Sequence, residues 1–277
     1  MTLGRDLPAL IDQAIVVDEL DIAAGIVGRF RLVCAYQPIF SRCSNFLRPT
    51  GLSGVAVPYE QGVPVAADAF AAACAPDGGF AAALGLALHI RNYGNIGVAG
   101  LDLHVTCGPD HVSCLPPLLD SPSTAGWQDV VLGPEKLVCE IACSEADLAD
   151  EVLDVLDELR WKGARMGGIF GGAQPLAPAV DADVIRLHGE WFRKICAEPT
   201  ARLLGSMVSV WHSRGLKVLV DGIDTAGQLR IALDAGADHF QGDFLACMAP
   251  AGSVFDERPV PIAALLDTGG KVVSLRG

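Results

Sequence analysis

From Leu137 to Phe240 the chain alternates short apolar runs with segments whose apolar residues recur at helical spacing, and this restricts the fold more than any other feature. The runs Leu137–Ile141, 164–169, Val184–Leu187, 216–220 and His239–Phe240 read as strands. Between them, Leu148, Val152, Val155, Leu156 and Leu159 mark one face of a helix that begins at Ser144 and is capped by Gly163. Further helices are expected over 203–213 and 225–235. Strands joined by helices at this spacing must run parallel, and five or more such units favour a closed barrel over a doubly wound sheet. With 277 residues, one barrel-sized domain accounts for the chain.

Upstream the signals are weaker. Apolar positions from Leu7 to Val27 recur mostly at spacings of three and four, which predicts an amphipathic helix in an N-terminal segment 1–29 packed on the barrel. Phe30 to Ile39 is a short apolar run that Pro38 should end, and Cys43 to Pro64, rich in Gly, Pro and Ser, reads as a long loop with one weak strand. Helices are expected over 66–74 and 80–91, and a strand near 101–105. The barrel is expected over 30–255, with a tail at 256–277.

Composition narrows the function classes. Hydrophobic residues make up 51% and charged residues 19%, enough for a large core, yet acids interrupt the first 30 residues in a way that suits neither a signal peptide nor a membrane span. A cytoplasmic protein is expected. The formal charge of -13, with no basic cluster, disfavours nucleic acid and anionic lipid. The nine Cys have irregular spacings and read mostly as reduced core residues.

Four segments carry a resemblance: Tyr36-Gln37-Pro38-Ile39, Cys139-Glu140-Ile141, Phe170-Gly171, and Asp221-Gly222-Ile223-Asp224-Thr225 followed by Gln241-Gly242. In order and spacing they resemble the EAL domain of bacterial cyclic di-GMP phosphodiesterases, a modified TIM barrel. The resemblance implies phosphodiester hydrolysis by two divalent metals held on carboxylates at the C-terminal mouth of the barrel. Counted from Gln37, the motif's glutamate falls at or beside Gly51. The phosphate-holding arginine falls near Val55, with Arg48 within a loop shift of it. The family's asparagine falls on His104, its next glutamate on Glu140, its paired aspartates on Gly168 and Ile169, its lysine on Arg186 and its late glutamate on Asp221.

Only Glu140 is kept, while Arg186 and Asp221 keep the charge alone. Without a bridging carboxylate two dications about 4 Å apart repel with little compensation, and an arginine cannot serve as a base. The residues therefore suggest a vestigial cleft lined by Gln37, Pro38, Glu140, Arg186, Asp221 and Gln241, with no catalytic residue. Each has a plainer role open to it: Glu140 can pair with Arg186 or Arg165, Asp221 and Asp224 can cap the next helix, and Gln37-Pro38 can fix a turn.

Outside the family pattern, His104, Cys107, His111 and Cys114 have the spacing His-x2-Cys-x3-His-x2-Cys, which would suit zinc if the four converge. Core thiols and solvated imidazoles are the competing reading. No cofactor is expected, with magnesium or manganese needed only for residual phosphodiesterase activity. The expected function is that of a non-catalytic EAL-like protein acting in bacterial signalling through a protein partner. A metal-free cyclic di-GMP sensor and a weak phosphodiesterase are the alternatives, and cyclic di-GMP binding is expected to be weak or absent. The resemblance also allows a homodimer through the helix after Phe170.

Overall fold

The structure, a computed structural model, describes residues 7–75, 78–108, 112–120, 132–142, 149–171 and 181–268. Strands β1 (Ile15–Val17), β2 (Ala23–Val27), β3 (Phe30–Cys43) and β4 (Phe46–Glu60) come first, followed by the two-residue β5 (Val63–Pro64). Then come β6 (Asp102–Cys107), β7 (Leu137–Ile141), β8 (Arg165–Phe170), β9 (Val184–Leu187), β10 (Lys217–Val220) and β11 (His239–Phe240). Short strands β12 (Ala249–Pro250) and β13 (Val260–Pro261) follow.

The hydrogen-bonded order β3-β11-β10-β9-β8-β7-β6-β4, closed by the β3–β4 ladder, makes an eight-stranded barrel. Strand β3 runs antiparallel to both neighbours, and the pairings from β4 through β6 to β11 are parallel. The expected modified TIM barrel is therefore the fold. All residues of β7 and β9 are buried, as strands covered on both faces must be.

Helices α1 (Leu7–Ala14), α2 (Ala67–Ala73), α3 (Gly78–Arg91), α4 (Leu115–Leu119) and α5 (Asp150–Trp161) cover one side. On the other lie α6 (Gly189–Cys196), α7 (Leu204–Ser213), α8 (Ala226–Asp234) and α9 (Ile262–Thr268). Two apolar layers result. One joins Leu84, Leu88 and Leu103 to Leu156, and the other joins Phe192, Val208 and Leu229 to Val218 and Phe240. Each such buried side chain contributes about 1.5–3 kcal/mol relative to exposure.

Four expectations need correction. The helix predicted from Leu7 to Val27 stops at Ala14, because the β-branched Ile15-Val16-Val17 run pairs with Ala23–Gly25 instead. Asp18, read as part of a helix's polar face, makes the turn: its Oδ1 accepts the N–H groups of Leu20 and Ile22, both at 2.9 Å. The expected loop over 43–64 is mostly the 15-residue strand β4, paired with β3 from Arg31↔Tyr59 to Cys43↔Phe46. Pro38 does not end β3, and Pro49 is accommodated where the register shifts between Ile39 and Phe40, a place where a ladder tolerates proline. Residues after 255 are also more than a tail, since Val260 pairs with Leu47 and α9 follows.

The helix expected from Ser144, which lies outside the described set, instead begins at Asp150, because Ala149 is extended (ψ 155°) and forms its N-cap, and Gly163 (φ +103°) closes it as expected. Helices α4, α6 and α9 had no counterpart among the sequence expectations.

Candidate functional site

At the C-terminal ends of the parallel strands one guanidinium gathers side chains from four parts of the barrel. Arg186, on β9, donates from Nε to Glu140 Oε2 on β7 at 2.7 Å and from Nη2 to Ser53 Oγ on β4 at 2.7 Å. Its Nη1 donates to Gln241 Oε1, just after β11, and lies 3.3 Å from Asp221 Oδ2, just after β10. The other oxygen of Glu140, Oε1, lies 2.7 Å from His104 Nδ1 on β6. Glu140 and Gln241 are 1% exposed, and Arg186 and His104 5%. Strand alternation aims these residues inward while Leu103, Val105, Cys139 and Met166 join the layer beneath the helices.

Space for the cluster comes from missing side chains. A Cβ on Gly167 would lie 2.9 Å from Glu140 Cγ, and one on Gly51 would lie 3.4 Å from the His104 ring. Burial by itself would raise the Glu140 pKa, but Arg186 and the His104 contact outweigh it and hold the carboxyl at about 2. Burial would likewise lower the Arg186 pKa, and Glu140 with Asp221 keeps it above its ordinary value. The centre is thus a charged, hydrogen-bonded network. An unpartnered charge here would be far more costly than the pair.

Of the sequence-derived residues, Glu140, Arg186, Asp221, Gln241 and His104 come together. Gln37 adjoins them: its carbonyl accepts from Gln241 Nε2 at 3.1 Å, while its amide donates to Asp243 Oδ1 at 3.0 Å and Ala246 O at 3.1 Å. Pro38 sits within β3 opposite Leu52, so Gln37-Pro38 is strand and not a turn. Glu140 pairs with Arg186, whereas Arg165 pairs with Asp102.

Asp221 and Asp224 do not cap α8. Thr225 is the cap, accepting from the Gln228 N–H, while Asp221 accepts the Gly222 N–H at 2.6 Å and Asp224 faces Arg193 at 3.4 Å. Arg48 lies in β4 opposite Ser41, five residues from Ser53 along a paired strand, so no loop shift is available to it.

The residue that sequence counting missed is Ser53. Gln37 is level with Ser53 across the β3–β4 ladder and Ser53 with His104 on β6, whereas Gly51 is level with Ile39. A strand reading of β4 would have put Gly51 and Ser53 on one face, but the choice between them rests on the register with β3 and β6.

The zinc constellation does not assemble among the described residues: no three His, Cys, Asp or Glu side chains are grouped so as to hold an ion, and His111 lies outside the described set. His104 turns to Glu140, and Cys107 and Cys114 are buried. Burial, then the neighbouring Cys139, Glu140 and Cys114, push the Cys107 thiol well above its ordinary pKa, as befits a core residue. Cys139, beside Glu140 on β7, is likewise fully buried.

A different space opens between β4, α2 and α3. This cavity of about 540 Å³ is lined by small residues, among them Gly54, Ala71, Ala81, Ala82 and Gly85, with His89 at its inner wall. His89 Nδ1 lies 3.0 Å from Cys34 Sγ, and burial lowers its pKa to about 4, leaving it neutral at pH 7.

Comparison with known proteins fits this architecture. Residues 119–247 match the model of the EAL domain. No curated protein matches the chain. Among solved structures, it is similar to Klebsiella pneumoniae BlrP1 in a calcium and cyclic di-GMP complex, with a TM-score of 0.66 and 19% identity, over 80% of this chain and 56% of that one. A cyclic di-GMP complex of the phosphodiesterase PaMucR gives a TM-score of 0.64 and 18% identity, over 85% of this chain and 94% of that one. The Xanthomonas citri FimX EAL domain with cyclic di-GMP gives 0.62 and 17%, over 80% and 88%. The chain spans little more than half the length of BlrP1. No helix among the described residues is long and apolar enough to cross a membrane. Residues 119–247, under half of the chain, are thus similar to the EAL domain, and the fold is the modified TIM barrel of these solved structures.

Proposed function

We propose that the chain is an EAL domain that does not hydrolyse cyclic di-GMP and acts in bacterial signalling through a protein partner, in the cytoplasm. The observation that carries the reading is the Arg186 network. Hydrolysis by two divalent cations needs a nest of free oxygen ligands and a bridging carboxylate. Here both oxygens of Glu140 are engaged, one by Arg186 and one by His104, and Asp221 also faces the guanidinium. The positions that the resemblance gives to the bridging aspartates are Gly168 and Ile169. The residues present do not fit a metal pair, and no step is assigned to one. What supports a protein partner is the combination of an intact barrel with an acidic surface, formal charge -13, which favours basic or amphipathic protein surfaces over phosphate polymers.

Incubation of the purified protein with cyclic di-GMP and manganese or magnesium tests the catalytic part, with no linear dinucleotide expected. Turnover that disappears in Glu140→Ala would overturn it. The one observation favouring a metal-free sensor is that Gln37, Arg186 and Gln241 still place polar groups at the mouth. Calorimetric titration separates the two. Binding weaker than about 10 μM, or less than roughly 7 kcal/mol, is expected because one buried, already paired arginine is a poor match for a dianion. For the partner, pull-down from a bacterial lysate should give the same specific protein with and without chelator, and the absence of any specific protein would count against the reading.

A further inference from the structure

On the non-catalytic reading above, the mouth holds no metal pair, yet it still gathers oxygens of the kind a cation needs. Ser53, Glu140, Asp221 and Gln241 present four side-chain oxygens from four separate strands or strand ends to one centre. Two of these groups are carboxylates, and hard oxygens with net negative charge are what a divalent cation seeks. The centre is filled by the guanidinium of Arg186, which arrives from a fifth strand and meets all four.

We propose that Arg186 is the resident cation of the mouth: its guanidinium holds the four oxygens together in place of a divalent ion, so the native protein is indifferent to divalent cations and removing the side chain uncovers a site for one. Planarity and a fixed fork of donors suit a guanidinium to this task, since it can satisfy several acceptors at once where a single ammonium satisfies fewer. Its burial excludes the water a metal would need to exchange during binding. Asp221 is a half-buried donor, with a side chain 28% exposed, so it can follow the smaller ion inward once the guanidinium is gone.

The test uses the full chain and thermal unfolding, with manganese chloride or EDTA as the only variable. The native protein should shift by less than about 1 °C between the two, whereas Arg186→Ala should unfold at lower temperature in EDTA and regain roughly 5 °C in manganese at concentrations near 100 times its dissociation constant. The gain should saturate, and it should vanish in the double variant Arg186→Ala with Glu140→Gln. Arg186→Lys, which keeps a cation in place, should show no manganese gain. A saturable manganese shift in the native protein overturns the proposal. An Arg186→Ala protein that remains unfolded or equally unstable with manganese also overturns it, because the donor set then holds no ion. A manganese shift in the native protein would also weaken the non-catalytic reading, whereas failure of Arg186→Ala to gain from manganese would leave that reading to the hydrolysis assay alone.

Discussion

The barrel mouth and the cavity beside α3 solve the same problem, how to fill space around a strand, in opposite ways. At the mouth, buried charge is tolerated because each charged group has a partner within hydrogen-bonding reach: Glu140 has two, and Arg186 has four. Beside α3 there is no charge to compensate, and small side chains leave open volume instead. The first region depends on completeness, since loss of one member strands the others. The second depends on shape, since backbone-to-ring approach is already at its limit where Gly54 meets His89.

The strongest way to break this contrast is to remove one partner at the mouth. Arg186→Met should destabilise the fold by about 3–5 kcal/mol, because Glu140 is left buried and unpaired, and chemical denaturation measures it. Adding Glu140→Met should recover much of that loss. If the double variant is as unstable as the sum of the singles, the pair is not a coupled unit.

Acid should act on both regions in sequence. The pKa of His89 is lowered to about 4 by burial, and that of His239 also to about 4, by burial first and by the nearby His104 second. Folding therefore favours their neutral forms. The stability this provides is full above pH 6.5 and is lost as pH falls from 6.5 to about 4, up to about 3 kcal/mol for each group. Glu140, held at about 2 against an ordinary 4.5, adds stability that is full above pH 4.5 and lost as pH falls towards 2. Denaturation midpoints measured from pH 7.5 to 3 should hold level down to about pH 6.5 and decline below it, and His89→Gln should flatten the segment between 6.5 and 4. An unchanged slope there would remove His89 from the account.

The smallest effects separate two glycines near the same cavity. A Cβ at Gly54 would lie 2.7 Å from His89 Cγ, so Gly54→Ala should cost about 1–3 kcal/mol. At Gly85, inside α3, a Cβ would meet only the Ala56 Cβ at 3.4 Å, and Gly85→Ala should stabilise by about 0.5–1 kcal/mol through helix propensity. Equal effects of the two would mean that the cavity wall is softer than these distances imply.

How much was legible in advance depended on how local the signal was. From Leu137 onwards each strand is a compact apolar run and most helices carry one apolar face, so strands were placed within a residue or so of their observed limits. Between Leu7 and Glu60 local signals misled. The spacing that suggested one helix belongs to α1, a turn at Asp18 and a hairpin, and the Pro and Gly residues that suggested a loop sit in strands that a long ladder and a register shift can accommodate.

The sequence by itself determined the parallel αβ alternation, the absence of aspartates at 168 and 169, and the residue types able to meet at the mouth. It also offered Arg186 as a partner for Glu140, 46 positions away. Only the tertiary structure decided that Ser53, 133 positions from Arg186, and not Gly51, completes the cluster. The physical reason is that side-chain direction in a strand has a period of two, but its level along the barrel axis is set by the register of neighbouring strands. In β4 that register is fixed by pairing with β3 and β6 and by the shift beside Pro49, none of which a local pattern of residues specifies.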